Sequence, residues 1–220
     1  MPPSLSPGSV DESQLIHTVI LADDSRLVRE AMEKTMHIIF PRCSVVGEAS
    51  DGEEARELCL RLKPSVFITD LQLPKQNGIL LIHEFKTLLP EMSVIVHTGS
   101  ESATMLSMAF DAKPAGILHS DDGLTGLRKA FEAATTGELY VSKAVLDRIK
   151  RHGADVVPLT PTELAILVML TASLHTKEIA VSRRTSERTV AAHRGSIYKK
   201  TGTHDIAGLL IWAMRNGFVK

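Results

Sequence analysis

The sequence contains two cysteines, Cys43 and Cys59, and they form no C-x-x-C spacing. It therefore offers no thiol pair for redox work or metal binding, and both read as small core residues in a reducing cytoplasm. No run approaches the ~20 apolar residues of a membrane span, so no membrane partner is expected. Internal repeats and extended low-complexity tracts are absent too. The N-terminus, MPPSLSPGSVDESQ, lacks the basic start and apolar stretch of a signal peptide, and residues 1–14 are expected to be a disordered leader.

What is present suits one large or two small domains: 220 residues, 44% of them hydrophobic. The net charge of −1 hides a division, because residues 1–140 carry −8 and residues 141–220 carry +7. An acidic front and a basic back imply different partners, and only the back suits a polyanion.

The front alternates between strand and helix patterns. Apolar runs at 17–23, 43–49, 66–70, 92–99 and 115–119 alternate with helical patterns near 25–39, 51–62, 78–88, 101–111 and 122–136. Asp51 is the expected N-cap of the second helix, and Asn77-Gly78 offers left-handed geometry after Pro74. Five βα units predict a parallel sheet with helices on both faces. Residues 137–158 break the rhythm with a short basic helix and a Gly/Pro-bounded tether, and from Leu159 onward helices are expected at 161–172, 176–183, 186–200 and 204–216.

Open parallel sheets bind ligands outside the carboxyl ends of their strands. There the first strand ends in Asp23-Asp24, the third in Asp70 and the fourth in Thr98-Gly99. An Asp at a strand end is also a common helix N-cap, and Asp24 suits that role for a helix opening at Ser25. Three carboxylates and a threonine at three strand ends favour phosphate chemistry instead. Crowded carboxylates suit a hard cation such as Mg²⁺, which would neutralise a phosphoryl group attacked by one of them.

Residues 17–136 resemble the receiver domain of two-component response regulators. The likeness rests on LADDS, ITDLQLPKQNG and VIVHTG. It implies a flavodoxin-like fold, a five-stranded parallel sheet of order 2-1-3-4-5, within a domain spanning 15–136. It further implies that Asp70 accepts phosphate from a histidine kinase. Mg²⁺ would be held by Asp70 and Asp24, by Asp23 largely through water, and by the Gln72 carbonyl, with Thr98 as the switch residue. Two positions depart from the family: Ser120 stands where a lysine pairs with the phosphoryl group, and Ile117 where an aromatic switch residue is frequent. A lost charge-assisted bond is worth ~1.5–3 kcal/mol.

In the basic segment, Thr160, Pro161 and Glu163 form a capping-box pattern, and Ser186 caps a helix with Val190, His193 and Ile197 on one face. Its other face carries Arg188, Ala191, Ala192, Gly195 and Lys199. Small residues between cations let a helix enter a major groove while its ends reach phosphates. LTPTE, KEIA, SERTVAAHR and IYKKTG resemble the LuxR-type helix-turn-helix of the NarL/FixJ class, an all-α domain here spanning 159–220 after a 137–158 linker. The resemblance implies contacts to double-stranded DNA from Arg183, Arg184, Arg188, Ala192, Arg194, Lys199 and Lys200. It also implies homodimers on DNA, paired by a last helix carrying Ile206, Leu209, Leu210, Trp212 and Ala213. That helix reads equally as one that closes its own core. In many relatives the unphosphorylated receiver masks the recognition helix.

The expected protein is a cytoplasmic, phosphorylation-controlled transcription regulator and not an enzyme. One rival keeps DNA binding but makes the receiver a phosphorylation-independent docking module, given Ser120 and Ile117. A second is a protein-interaction adaptor that binds DNA weakly, and a Mg²⁺-dependent phosphatase ranks last.

Overall fold

The computed structural model describes residues 17–153 and 156–219; the expected leader lies outside them. The front half contains β1 (His17–Ala22), α1 (Arg26–Ile39), β2 (Cys43–Ala49), α2 (Gly52–Leu62), β3 (Val66–Thr69), α3 (Gly78–Leu88), β4 (Ser93–Thr98), α4 (Ala103–Asp111), β5 (Gly116–His119) and α5 (Gly123–Thr136). With a sixth strand, β6 (Tyr140–Val141), all strands are parallel, in the order β2-β1-β3-β4-β5-β6.

Period-two alternation divides the strand residues between two cores. Val19, Leu21, Val66, Ile68, Ile95 and Leu118 pack with Met32 and Met36 of α1 and with Leu127, Ala130 and Phe131 of α5. Ile20, Phe67, Val94, Val96 and Ile117 face the opposite way, toward Cys59 of α2, Phe85 of α3 and Met105 of α4. Burial pushes the Cys43 thiol up to about 11 and that of Cys59 to about 12, so both stay protonated and inert. Asp51 caps α2, accepting from the Glu54 amide at 2.9 Å.

The sheet has a sixth strand that the pattern along the chain does not announce. Tyr140–Val141 (β6) pairs with Gly116–Ile117, through the bonds Tyr140 N–H to Ala115 O at 3.0 Å and Ser142 N–H to Ile117 O at 2.9 Å. Two residues show no periodicity, and it is the open β5 edge that makes them a strand. The basic helix follows as α6 (Lys143–Arg151), against α4 and β5. The expected linker thus begins as part of the sheet layer.

The remaining helices are α7 (Pro161–Thr171), α8 (Thr176–Ser182), α9 (Glu187–Thr201) and α10 (Ile206–Arg215). Among the described residues no helix is long and apolar enough to cross a membrane. The capping box at Thr160 forms as expected, with Glu163 N–H to Thr160 Oγ1 at 3.2 Å and Thr160 N–H to Glu163 Oε2 at 2.8 Å. Glu163 does more than cap. Buried at 4% exposure, it accepts from Ser196 Oγ at 2.7 Å and Lys200 Nζ at 2.7 Å, and so ties α7 to α9.

Burial alone would raise the Glu163 carboxyl, but the bonds from Lys200, Ser196 and Thr160 outweigh it and hold the group at about 2, below its ordinary 4.5. A depressed folded-state pKa adds stability that is fully present above the unfolded value and disappears as pH falls through the folded one. The helical domain is therefore expected to lose stability between about pH 4.5 and pH 2. Melting temperatures by circular dichroism across that window check this, and Glu163→Gln should flatten the dependence. Lys200→Met is expected to cost about 1.5–3 kcal/mol in denaturant unfolding.

Candidate functional site

Strand register assembles the acidic pocket. Ala22 pairs with Thr69, and the Asp70 amide donates to Ala22 O at 2.9 Å, so Asp23 and Asp70 emerge side by side at the carboxyl edge. Asp23 is nearly buried, and its Oδ1 accepts the Ser25 amide at 2.8 Å. Asp24 is exposed. It does not cap α1: Ser25 does, accepting from the Val28 amide. Asp70 is half-buried, and its Oδ1 takes the Leu71 amide at 2.7 Å. These are hard oxygen donors at adjacent strand ends, a set that fits a small divalent cation and no soft metal.

The loop after Asp70 differs from the left-handed turn expected at Asn77-Gly78. The left-handed residue is Lys75 (φ 62), while Asn77 is extended and caps α3, accepting from the Ile79 amide at 2.9 Å. Gly78 is required for another reason: a Cβ there would lie 2.3 Å from the Asp70 carbonyl oxygen and 3.0 Å from Leu71 Cα. Its N–H donates to Leu71 O at 3.0 Å, folding the loop tightly beneath the carboxylate.

Thr98 is buried at the end of β4, and its Oγ1 accepts the Ser100 amide at 3.2 Å. Ser120 is exposed beside it; its Oγ lies 3.4 Å from where a Gly99 Cβ would be. Ile117 is fully buried and packed in the core, so it occupies the aromatic position without a swinging ring. His97 neighbours this edge, and burial lowers its pKa despite the opposing pull of Asp70.

Several residues at this edge carried no local signal in the chain. Arg148 of α6 binds both carboxylate oxygens of Glu101 at 2.8 Å and Asp121 Oδ2 at 2.7 Å. Gln72 Nε2 donates to Gly217 O at 3.0 Å, and Ser102 Oγ donates to Asn216 Oδ1 at 3.2 Å. Partners so far apart in sequence leave no periodicity to read, and only tertiary packing joins them.

In the helical domain Arg184, Arg188, Ala192 and Lys199 are exposed and Arg194 is half-buried. The receiver does not bury this face in the arrangement seen; it covers α7 and the turn after α10 instead. Arg183 lines the cleft between the domains together with Glu53 and Glu84. Lys200 is half-buried, and its ammonium donates to Glu163 at 2.7 Å and to Pro158 O at 2.9 Å. The residues of α10 divide between two faces. Leu209 and Ala213 are fully buried in their own domain, and Trp212 stacks on Phe218 with ring centroids 5.6 Å apart. The outward apolar face of α10 is Ile206, Leu210, Ile211 and Met214. The helical period places Leu209 and Ala213 inside and the second stripe outside.

Residues 19–132 match the response regulator receiver domain family, and residues 157–213 match the bacterial regulatory proteins of the luxR family. The transcriptional regulatory protein MctR of Rhizobium johnstonii is 29% identical over 205 residues, covering 91% of this chain and 94% of the relative. The nitrate/nitrite response regulator protein NarL of Escherichia coli is 29% identical over 203 residues, covering 89% and 94%. The structure of RcsB from Salmonella enterica serovar Typhimurium, bound to promoter rprA with the phosphomimetic BeF3⁻, superposes with a TM-score of 0.68 at 27% identity, covering 89% of this chain and 97% of that one. With a receiver fold joined to a helix-turn-helix, the molecule is of the two-component regulator type. The chain belongs to the response regulators of the NarL/FixJ class, DNA-binding regulators of transcription.

Gly78→Ala tests the loop. Overpacking against backbone is expected to cost about 1–3 kcal/mol in denaturant unfolding.

Proposed function

We propose that this regulator is switched by Mg²⁺-dependent phosphorylation of Asp70 by a histidine kinase, in the cytoplasm. The observation that carries the reading is the in-register placement of Asp23 beside Asp70 at the carboxyl edge, with Thr98 one strand away. Asp23, Asp24, Asp70 and the Gln72 carbonyl would hold the metal, which neutralises charge on the transferring phosphoryl group. The carboxylate attacks phosphorus as the phosphohistidine N–P bond breaks, and Thr98 would donate to the new phosphoryl oxygens. Ser120 leaves this site without the usual lysine, and with Ile117 in the aromatic position this favours the docking-module reading instead.

Intact mass after incubation with Mg²⁺ and a small phosphodonor tests the switch. A phosphate-sized gain that disappears in Asp70→Asn supports it. No gain from either a small donor or a phosphorylated kinase would leave the receiver as a docking module.

On the DNA side, Arg188, Lys199 and Arg184 are proposed to contact phosphates or base edges, with Ala192 allowing close approach to the groove and Arg194 at its margin. Two copies would pair through Ile206, Leu210, Ile211 and Met214, setting recognition helices on adjacent half-sites. Lys199→Ala is expected to reduce the slope of log affinity against log salt by about one, whereas Lys200→Ala should leave it unchanged and lower stability. Titrations at several salt concentrations read this directly. Leu210→Glu should weaken pairing on DNA, seen as loss of the two-to-one complex in a mobility shift.

A further inference from the structure

His119 closes β5 and is 3% exposed, yet its ring is only half satisfied. Nδ1 accepts the Asp121 amide at 3.1 Å, which places the hydrogen of the neutral imidazole on Nε2. Nε2 is buried and, among the described residues, has no hydrogen-bond partner. An orphaned polar atom in the interior needs a physical reason. This one is directed at Glu101, whose Oε1 lies 3.4 Å away. Asp121 completes the group. Its Oδ2 is 3.1 Å from Nδ1, and the three side chains bring donor atoms within 4.8 Å of one another.

Arg148 of α6 answers part of the demand. Its Nε and Nη2 hold the two Glu101 oxygens at 2.8 Å, and Nη2 also meets Asp121 Oδ2 at 2.7 Å. A guanidinium carries five donors and no acceptor, so it neutralises the carboxylates but can take no bond from Nε2–H. Both carboxylate side chains are 68% exposed, and water screens their pairing with Arg148.

A divalent transition ion satisfies ring and carboxylates together. Zinc-class ions bind imidazole nitrogen and carboxylate oxygen at about 2.0–2.1 Å, so tetrahedral ligands stand about 3.3 Å apart. The 3.4 Å between Nε2 and Oε1 matches that separation. For Nε2 to offer its lone pair, its hydrogen passes through solvent to Nδ1. Nδ1 then donates to the Asp121 Oδ2 that Arg148 has vacated, in place of accepting the Asp121 amide. The result is the carboxylate–histidine–metal arrangement in which the outer carboxylate fixes tautomer and ring orientation. The residue is anchored for that role, because its own amide donates to Asp122 Oδ2 at 2.7 Å. Solvent reaches the group past the exposed Glu101 and Asp121. Its nitrogen donor sets it apart from the all-oxygen set around Asp70, which suits Mg²⁺.

We propose that Glu101 and His119 form a second cation site, selective for a zinc-class divalent ion, with Asp121 orienting the imidazole and Arg148 as the internal competitor. Water completes the shell, so the site is open and its occupancy reversible. The ion and Arg148 Nη2 share Glu101 Oε1, and binding of one excludes the other. Nothing in the site depends on Asp70 being the phosphoacceptor.

Zinc titration of the full-length protein in excess Mg²⁺, read by competition with a chromophoric chelator, tests the site. Arg148→Ala removes the competitor and is expected to tighten zinc binding by about tenfold or more. His119→Gln keeps an acceptor for the Asp121 amide but removes the ring, and is expected to weaken binding by at least about tenfold. Unchanged affinity in His119→Gln would put the zinc on other histidines and overturn the site. An Arg148→Ala protein that binds no more tightly than the unaltered one, or no binding by either, would do the same. Long-range proton–nitrogen NMR of the unaltered protein decides the matter even where a variant misfolds. Saturating zinc is expected to move the His119 hydrogen to Nδ1 and to give Nε2 the shift of a metal-bound nitrogen; a ring that keeps its Nε2–H refutes the proposal.

Discussion

Mutual repulsion among carboxylates at one sheet edge is the constraint around which the receiver half is organised. Asp23 and Asp70 are brought together by backbone pairing of β1 with β3, which has no regard for their charge. The fold offsets part of the cost with local donors, the Ser25 amide for one and the Leu71 amide for the other. No lysine enters at Ser120 to offset the rest.

The helical half solves the opposite problem. It has an excess of positive charge and must leave most of it outside, yet it uses one lysine within. The Glu163–Lys200 pair is supported by Ser196 and the Thr160 amide, so every strong valence of the buried carboxylate is met. This junction fixes α9 against α7, and rigid presentation of α9 is what a groove-reading helix requires. The same pair that stabilises the domain holds the Lys200 ammonium against α7.

Between the halves the structure is more continuous than the change in charge along the chain implies. β6 extends the receiver sheet into the stretch read as linker, and α6 lies against α4. A single apolar cluster runs from Phe67 and Leu71 to Leu167 and Phe218. Alternation of strand and helix signals ended near 136 because β6 is too short to have a period. Its pairing, and the Arg148 contacts that follow, exist only because β5 and α4 present an edge and a face to be covered.

Apart from β6, the element order, the two covered sheet faces, the capping residues Asp51, Thr160 and Ser186, and the acidic strand ends were legible in the chain, since each depends on neighbours within a few residues. Periodicity and local capping are short-range physics, and they carry the fold class with them. Long-range choices were decided by packing alone. Which side of α10 faces out, which lysine of the Lys199–Lys200 pair is available, why Gly78 must be glycine, and what Glu101, Ser102 and Thr104 hold are properties of surfaces that meet across dozens of residues. A single chain encodes those meetings only through the complete fold, because the free energy of each depends on a partner placed by every other contact.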